Sequence, residues 1–175
     1  MRKILLVDDD ENILSALKRL FNAEKDWHLT VSNSPNQALE LVAKEQFEVI
    51  ISDYKMPGMN GVEFLVFSKE TNPNAKRILL SGETGFKGLV NAVNKAWIFR
   101  YISKPVDSIV LKNTIENALY VADIENENKQ LADTVRQQQE EIEKKDALLA
   151  QFKSEHPLLN EVKRGPDDEI YLEQE

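Results

Sequence analysis

The sequence predicts an α/β fold, a doubly wound five-stranded parallel sheet followed by one long coiled-coil helix. Three observations predict it. Short aliphatic runs alternate with helix-spaced apolar residues through the first 107 positions, the pattern of repeated βα units. The runs near positions 4, 49 and 78 are apolar without alternation, as strands covered on both faces are. From 109 to 154 there is neither Pro nor Gly, and apolar residues recur on a seven-residue repeat.

The strands are expected at 4–7, 29–32, 49–52, 78–80 and 98–102. Between them, spacings of three and four mark helices: Ile13, Leu14, Leu17, Leu20 and Phe21, then Ala38, Leu41 and Val42, then Val62, Leu65 and Val66, then Leu89, Val90 and Val93. Punctuation agrees. Ser34-Pro35 offers a cap and a first-turn proline. Pro57-Gly58 makes a turn, and Asn72-Pro73 ends a helix. Five strands and five helices is the simplest count.

Asp107 or Ser108 can cap the last helix. Its repeat runs through Asn117, Ile124, Leu131, Gln138, Lys145 and Phe152 in one set, and Val121, Asn128, Val135, Ile142 and Leu149 in the other. The flanking residues are Gln, Glu, Lys and Arg, as on a solvated coiled-coil surface. A helix of about 45 residues is roughly 70 Å long, too long for a domain of this size to cover. A second copy of the chain is the simplest partner, through residues 117–152. The alternative is a solvated single helix laced with pairs such as Glu140–Lys144 and Glu141–Lys145. The expected organisation is a domain over 1–122, a coiled-coil helix over 123–154, and an acidic tail, or the start of a further region, over 155–175. Within that tail, Glu169-Ile170-Tyr171-Leu172 could form a short strand.

Composition narrows the function. The net charge of -8 and pI near 5.0 argue against direct nucleic-acid binding, which needs a basic face, and against anionic membranes. With no cysteine, disulfides and thiol chemistry are excluded. The histidines, His28 and His156, share no ligand spacing. The apolar run before the first aspartates is only four residues long, too short for a signal peptide or spanning helix. A cytoplasmic protein is expected.

In an open parallel sheet the functional crevice lies at the carboxyl ends of the strands. The first strand ends at Asp8-Asp9-Asp10, the third at Asp53, the fourth at Ser81, and Lys104-Pro105 follows the fifth. If the order is 2-1-3-4-5, Asp8, Asp9, Asp53, Ser81 and Lys104 converge. Crowded carboxylates repel, and a hard cation such as Mg²⁺ (or Mn²⁺) is the natural remedy, with the backbone carbonyl of Lys55 placed to join. A carboxylate can then attack phosphorus, with Lys104 and the metal neutralising the transferring group and Ser81 donating a hydroxyl hydrogen bond. The product would be an aspartyl phosphate on Asp53. Each element alone has a plainer reading. An Asp-Asp pair is usually a cap, Lys-Pro the end of a strand, Ser81-Gly82 a turn, and Tyr101 an apolar strand residue.

Together these residues resemble the receiver domains of two-component response regulators over about residues 2–122. The resemblance rests on Ile4-Leu5-Leu6-Val7-Asp8-Asp9-Asp10, on Asp53-Tyr54-Lys55-Met56-Pro57-Gly58-Met59-Asn60-Gly61, on Leu80-Ser81-Gly82, and on Tyr101-Ile102-Ser103-Lys104-Pro105. It implies a flavodoxin-like sheet of order 2-1-3-4-5 and a partner histidine kinase or phosphotransfer protein. It also implies roles: Asp53 as phosphoacceptor, Asp9 as direct metal ligand, Asp8 acting through water, and Lys55 lending its carbonyl. Ser81 and Tyr101 become the switch pair, Lys104 the lysine at the phosphoryl group, and Pro105 a cis-proline. Gly82 departs from the pattern, where Ala is more usual. The segment from Asn94 to Tyr101 resembles a subgroup in which the last helix continues into a coiled coil ahead of an output domain. The tail carries no helix-turn-helix signature.

The expected function is a phosphorylation switch. Asp53 takes a phosphoryl group, and the face of the fourth helix, fifth strand and last helix relays it to a dimeric coil. No turnover of an external substrate is expected, because Lys55 stands where phosphohydrolases carry a second Asp. The alternatives are a constitutive dimerisation adaptor and the N-terminal regulatory part of a larger output enzyme.

Overall fold

The computed structural model describes residues 1–82 and 96–156. The chain divides into two compact units, Met1–Glu125 and the segment from Asn126 onward. In the first unit the order is β1 (Arg2–Val7), α1 (Glu11–Phe21), β2 (Trp27–Ser32), α2 (Pro35–Lys44), β3 (Val49–Asp53), α3 (Gly61–Thr71), β4 (Lys76–Ser81) and β5 (Ile98–Ser103). The last helix, α4 (Ser108–Glu155), begins here and continues as the second unit. The helix expected around Leu89, Val90 and Val93 lies outside the described residues, as do the tail from 157 and the short strand expected at 169–172. Among the described residues no helix is long and apolar enough to cross a membrane.

All five strands are parallel, in the order β2-β1-β3-β4-β5. Side chains alternate between the two sheet faces, and both faces are covered. Ile4, Leu6, Ile51, Ile78 and Leu80 pack with Leu14, Leu17 and Phe21 of α1 and with Leu111, Ile115 and Ala118 of α4. Leu5, Val7, Ile50 and Leu79 pack with Ala38 and Val42 of α2 and with Phe64 and Leu65 of α3. This explains the non-alternating runs: β3 is buried at every position.

The helix starts follow local chemistry. Asp10 caps α1 by accepting from the Asn12 N–H at 2.8 Å. Asn60 and Glu63 form a reciprocal capping box on α3. Asp107, one of the two expected caps, accepts from the N–H groups of Ile109 and Val110. The cap expected from Ser34 does not form through its side chain. The Ser32 hydroxyl donates to the Ser34 carbonyl instead, and Pro35 opens the helix without an N–H to satisfy. Gly58 supplies the positive φ, +80°, of the expected turn.

Two structural centres sit at the amino ends of the strands. Asn72 is buried, accepts from the Phe47 N–H, and donates to the carbonyls of Val42 and Glu45. It ties the end of α3 to the end of α2 and to the loop that leads into β3. Arg77 of β4 is only 2% exposed. Its guanidinium donates to the carbonyls of Asn72 and Ala75, so its charge sits at the carbonyl end of α3, where a cation is favoured. Burial pushes its pKa down from the usual arginine value. Arg2 reaches α4 with two bonds to Asp123, at 2.7 and 2.5 Å, and a third to Glu48 at 2.9 Å. The Asp123 and Glu48 bonds push its pKa up. Lys76 pairs with Glu125 at 2.5 Å.

Candidate functional site

The ends of β1, β3, β4 and β5 meet because the order is 2-1-3-4-5. Asp8 follows β1 and is 1% exposed; Asp53 closes β3 and is 5% exposed. Lys104 follows β5 and places its ammonium between them, 2.8 Å from Asp8 Oδ2 and 2.5 Å from Asp53 Oδ1. The backbone holds Lys104 there. Its N–H donates to the Ser81 carbonyl at 2.7 Å, and the Lys104–Pro105 peptide is cis, as the resemblance implies.

Each carboxylate is also held by the chain. Asp8 Oδ1 accepts from the Asp10 N–H at 3.0 Å. Asp53 Oδ2 accepts from the Lys55 N–H at 2.8 Å. The loop after β3 folds back through the Tyr54 N–H to the Leu80 carbonyl and the Gly61 N–H to the Tyr54 carbonyl. Gly61 lies so close that a Cβ there would collide with the backbone carbonyl of Asp53. The glycine is therefore needed to bring α3 against the end of β3. At Gly82 a Cβ would meet nothing within 4 Å, so packing does not demand that departure from the family pattern.

The electrostatics follow from burial. Removal from water pushes the Asp8 carboxyl up from the usual range. The Lys104 hydrogen bond opposes that rise, and the charge of Asp53 adds to it. For Lys104, burial works downward, but its hydrogen bonds to Asp53 and Asp8 more than offset it, so the ammonium is held more tightly than in water.

Of the predicted site residues, Asp8, Asp53 and Lys104 touch directly, and Lys104 bonds the Ser81 backbone. Ser81 ends β4, is buried, and pairs in register with Ser103. Tyr101 sits in β5 opposite Leu79 and packs against the cluster that holds Leu5 and Phe64. Asp9 is exposed, and Lys55 meets Asp53 through its N–H. Among the described residues no three acidic or histidine side chains are grouped to hold a metal ion; Lys104 occupies the space between Asp8 and Asp53. The donor set nevertheless fits a hard divalent cation. Among the described residues, the two buried carboxylates of Asp8 and Asp53 face the one ammonium of Lys104, so two acids stand against one cation, a charge balance that suits a hard divalent ion. Gly61 closes the motif quoted for the resemblance, and the structure gives the reason a glycine stands there: it opens α3 against the Asp53 carbonyl.

The profile of the response regulator receiver domain matches residues 4–116. The chain belongs to the response regulator receiver family. Among its relatives, the hydrogenase transcriptional regulatory protein HoxA of Cupriavidus necator is 34% identical over 116 residues, 66% of this chain but 24% of that protein. The match thus spans about a quarter of that longer regulator. Sporulation initiation phosphotransferase F of Bacillus subtilis is 29% identical over 67% of this chain and 93% of its own length. Among solved structures, the adenylate cyclase of Rhodopirellula baltica matches with a TM-score of 0.70 at 32% identity, covering 75% of this chain and 97% of that one. The response regulator TrrA of Thermotoga maritima, solved with Mg²⁺ and BeF, matches with a TM-score of 0.61 at 25% identity, covering 68% of this receiver chain and all of that one (100%).

Proposed function

We propose that this receiver accepts a phosphoryl group on Asp53 from a histidine kinase or phosphotransfer protein and reports it through α4. The observation that carries the proposal is the Lys104 ammonium bridging two buried carboxylates, Asp8 and Asp53. In the transfer, an Asp53 oxygen forms a bond to phosphorus while the bond from phosphorus to the donor's imidazole nitrogen breaks. The charge that arrives is met by Lys104, already held at Asp53 by geometry. Asp8, Asp9, Asp53 and the Lys55 carbonyl would hold Mg²⁺, which would offset charge on the transferring oxygens.

The chain's own residues do the rest. The Lys55 N–H orients one Asp53 oxygen, and Lys104 the other. Ser81 is the hydroxyl that turns to the phosphoryl group, and Tyr101, on the neighbouring strand β5, follows it. In this reading the face of β5 and α4 changes. Since α4 runs on without a break to Glu155, a second copy paired along residues 117–152 would read that change. The chain turns over no external substrate in this reading; it is phosphorylated and reset. In this reading the protein works in the cytoplasm, and its net charge of -8 disfavours direct contact with nucleic acid.

The test is incubation of the full chain with Mg²⁺ and a small acyl-phosphate donor, followed by intact mass. A gain of one phosphoryl group, absent in Asp53→Asn, supports the reading. No gain in the wild-type protein overturns it.

A further inference from the structure

From Ile124 onward, α4 carries a line of uncovered apolar side chains. Ile124, Leu131, Val135, Ile142, Leu149 and Phe152 are between 39% and 62% exposed. On a heptad, Val121, Asn128, Val135, Ile142 and Leu149 fall at a, and Ile124, Leu131, Gln138, Lys145 and Phe152 at d. We infer that this seam binds the same seam of a second copy, parallel and in register, and that Asn128 is the residue that fixes the orientation. The inference rests on the homodimer proposed above and adds its geometry.

The layers favour the parallel arrangement. A parallel, in-register pair sets every position against itself, so Asn128 meets Asn128, Gln138 meets Gln138, and each apolar layer stays apolar. A single Asn at a is the device that selects register in two-stranded coils, and β-branched residues at a favour two strands where Leu stands at d, as at Leu131. Here Val121, Val135 and Ile142 occupy three of the five a positions. The lysine layer is the cost of this pairing. It is offset locally: Lys145 already pairs with Glu141 of its own helix at 2.7 Å, and Asp146 of the opposite copy falls at the flanking e position.

Antiparallel registers mix polar with apolar. The one that sets Ile124 against Ile142 and Leu131 against Val135 also sets Lys145 against Val121 and Asn117 against Leu149. Sliding the copies by one heptad to bring Phe152 onto Val121 sets Asn128 against Lys145 and Gln138 against Val135. Either choice places an amide or an ammonium against an apolar partner, where its hydrogen bonds are lost.

The chain has no cysteine, so single-cysteine variants report cleanly. Ile124→Cys and Lys145→Cys, each made in the full chain, are placed in a glutathione redox buffer, and light scattering gives the mass of the unmodified protein alongside. Parallel pairing predicts a dimeric mass and near-complete self-disulfide for both variants. In the antiparallel registers each cysteine lies at least 17 residues from its own copy, about 26 Å along the helix, beyond disulfide reach. A dimeric mass with no self-disulfide in either variant overturns the orientation and leaves the homodimer standing. A monomeric mass overturns the homodimer itself. Asn128→Ile tests the role of the asparagine: loss of a single dimeric species supports it, and an unchanged dimer with unchanged cross-linking overturns it.

Discussion

Replacing Lys104 with Met removes a cation that contacts both buried carboxylates. In the folded protein its ammonium lies 2.8 Å from Asp8 and 2.5 Å from Asp53, and its side chain is 23% exposed. Removing one partner of a fully buried ion pair costs roughly 3–5 kcal/mol. Partial exposure screens some of that, so about 2–3 kcal/mol is expected at neutral pH. The loss should depend on pH. Asp8 already has a raised folded pKa, chiefly from burial, so its charged form opposes folding, and stability from this group is present at low pH and lost as pH rises through the folded pKa. Without Lys104 that pKa rises further, because its opposing hydrogen bond is gone. The destabilisation of Lys104→Met should therefore be largest near neutrality and shrink as pH falls into the carboxylate range. Urea unfolding of both proteins from pH 4 to 8 measures it. A difference below about 0.5 kcal/mol, or one independent of pH, would refute the electrostatic account.

Other substitutions probe the frame around the site. Gly61→Ala should cost about 3 kcal/mol or more, since its Cβ meets the Asp53 carbonyl. It should also slow phosphorylation, read from the time course of the mass gain. Asn72→Ala strands the Phe47 N–H and the Val42 carbonyl; a loss of about 2–4 kcal/mol in chemical denaturation, with the phosphorylation rate unchanged, is expected. Arg2→Met breaks the half-exposed pairs with Asp123 and Glu48, so a loss near 1 kcal/mol is expected, and amide exchange should rise around Asp123.

Much of this was legible because burial leaves a mark on composition. Ile4 to Val7 and Val49 to Ser52 announce strands covered on both sides, and Asp8 and Asp53 stand out as acids ending such runs. The starts of β3 at Val49 and β5 at Ile98 were legible, but those of β1, β2 and β4 were not. β1 begins at Arg2 and β4 at Lys76, charged residues that read as loop. Arg2 and Lys76 enter the sheet because α4 supplies Asp123 and Glu125, partners more than 45 residues away in sequence. Arg77 enters because two carbonyls at the end of α3 solvate it. Ser34 illustrates the opposite failure: the residue type suits a cap, but Ser32 takes the local hydrogen bond. The convergence on Lys104 was readable only once a strand order was assumed, because Asp8, Asp53 and Lys104 come from three different βα units.

The central claim is that Asp53 itself carries the phosphoryl group. The most direct measurement is to phosphorylate the full chain, reduce the acyl phosphate with borohydride, and map the product by peptide mass spectrometry. The account predicts homoserine at position 53 and nowhere else. Reduction at Asp8 or Asp9, or no reduced residue in a protein that gained phosphate, would contradict it.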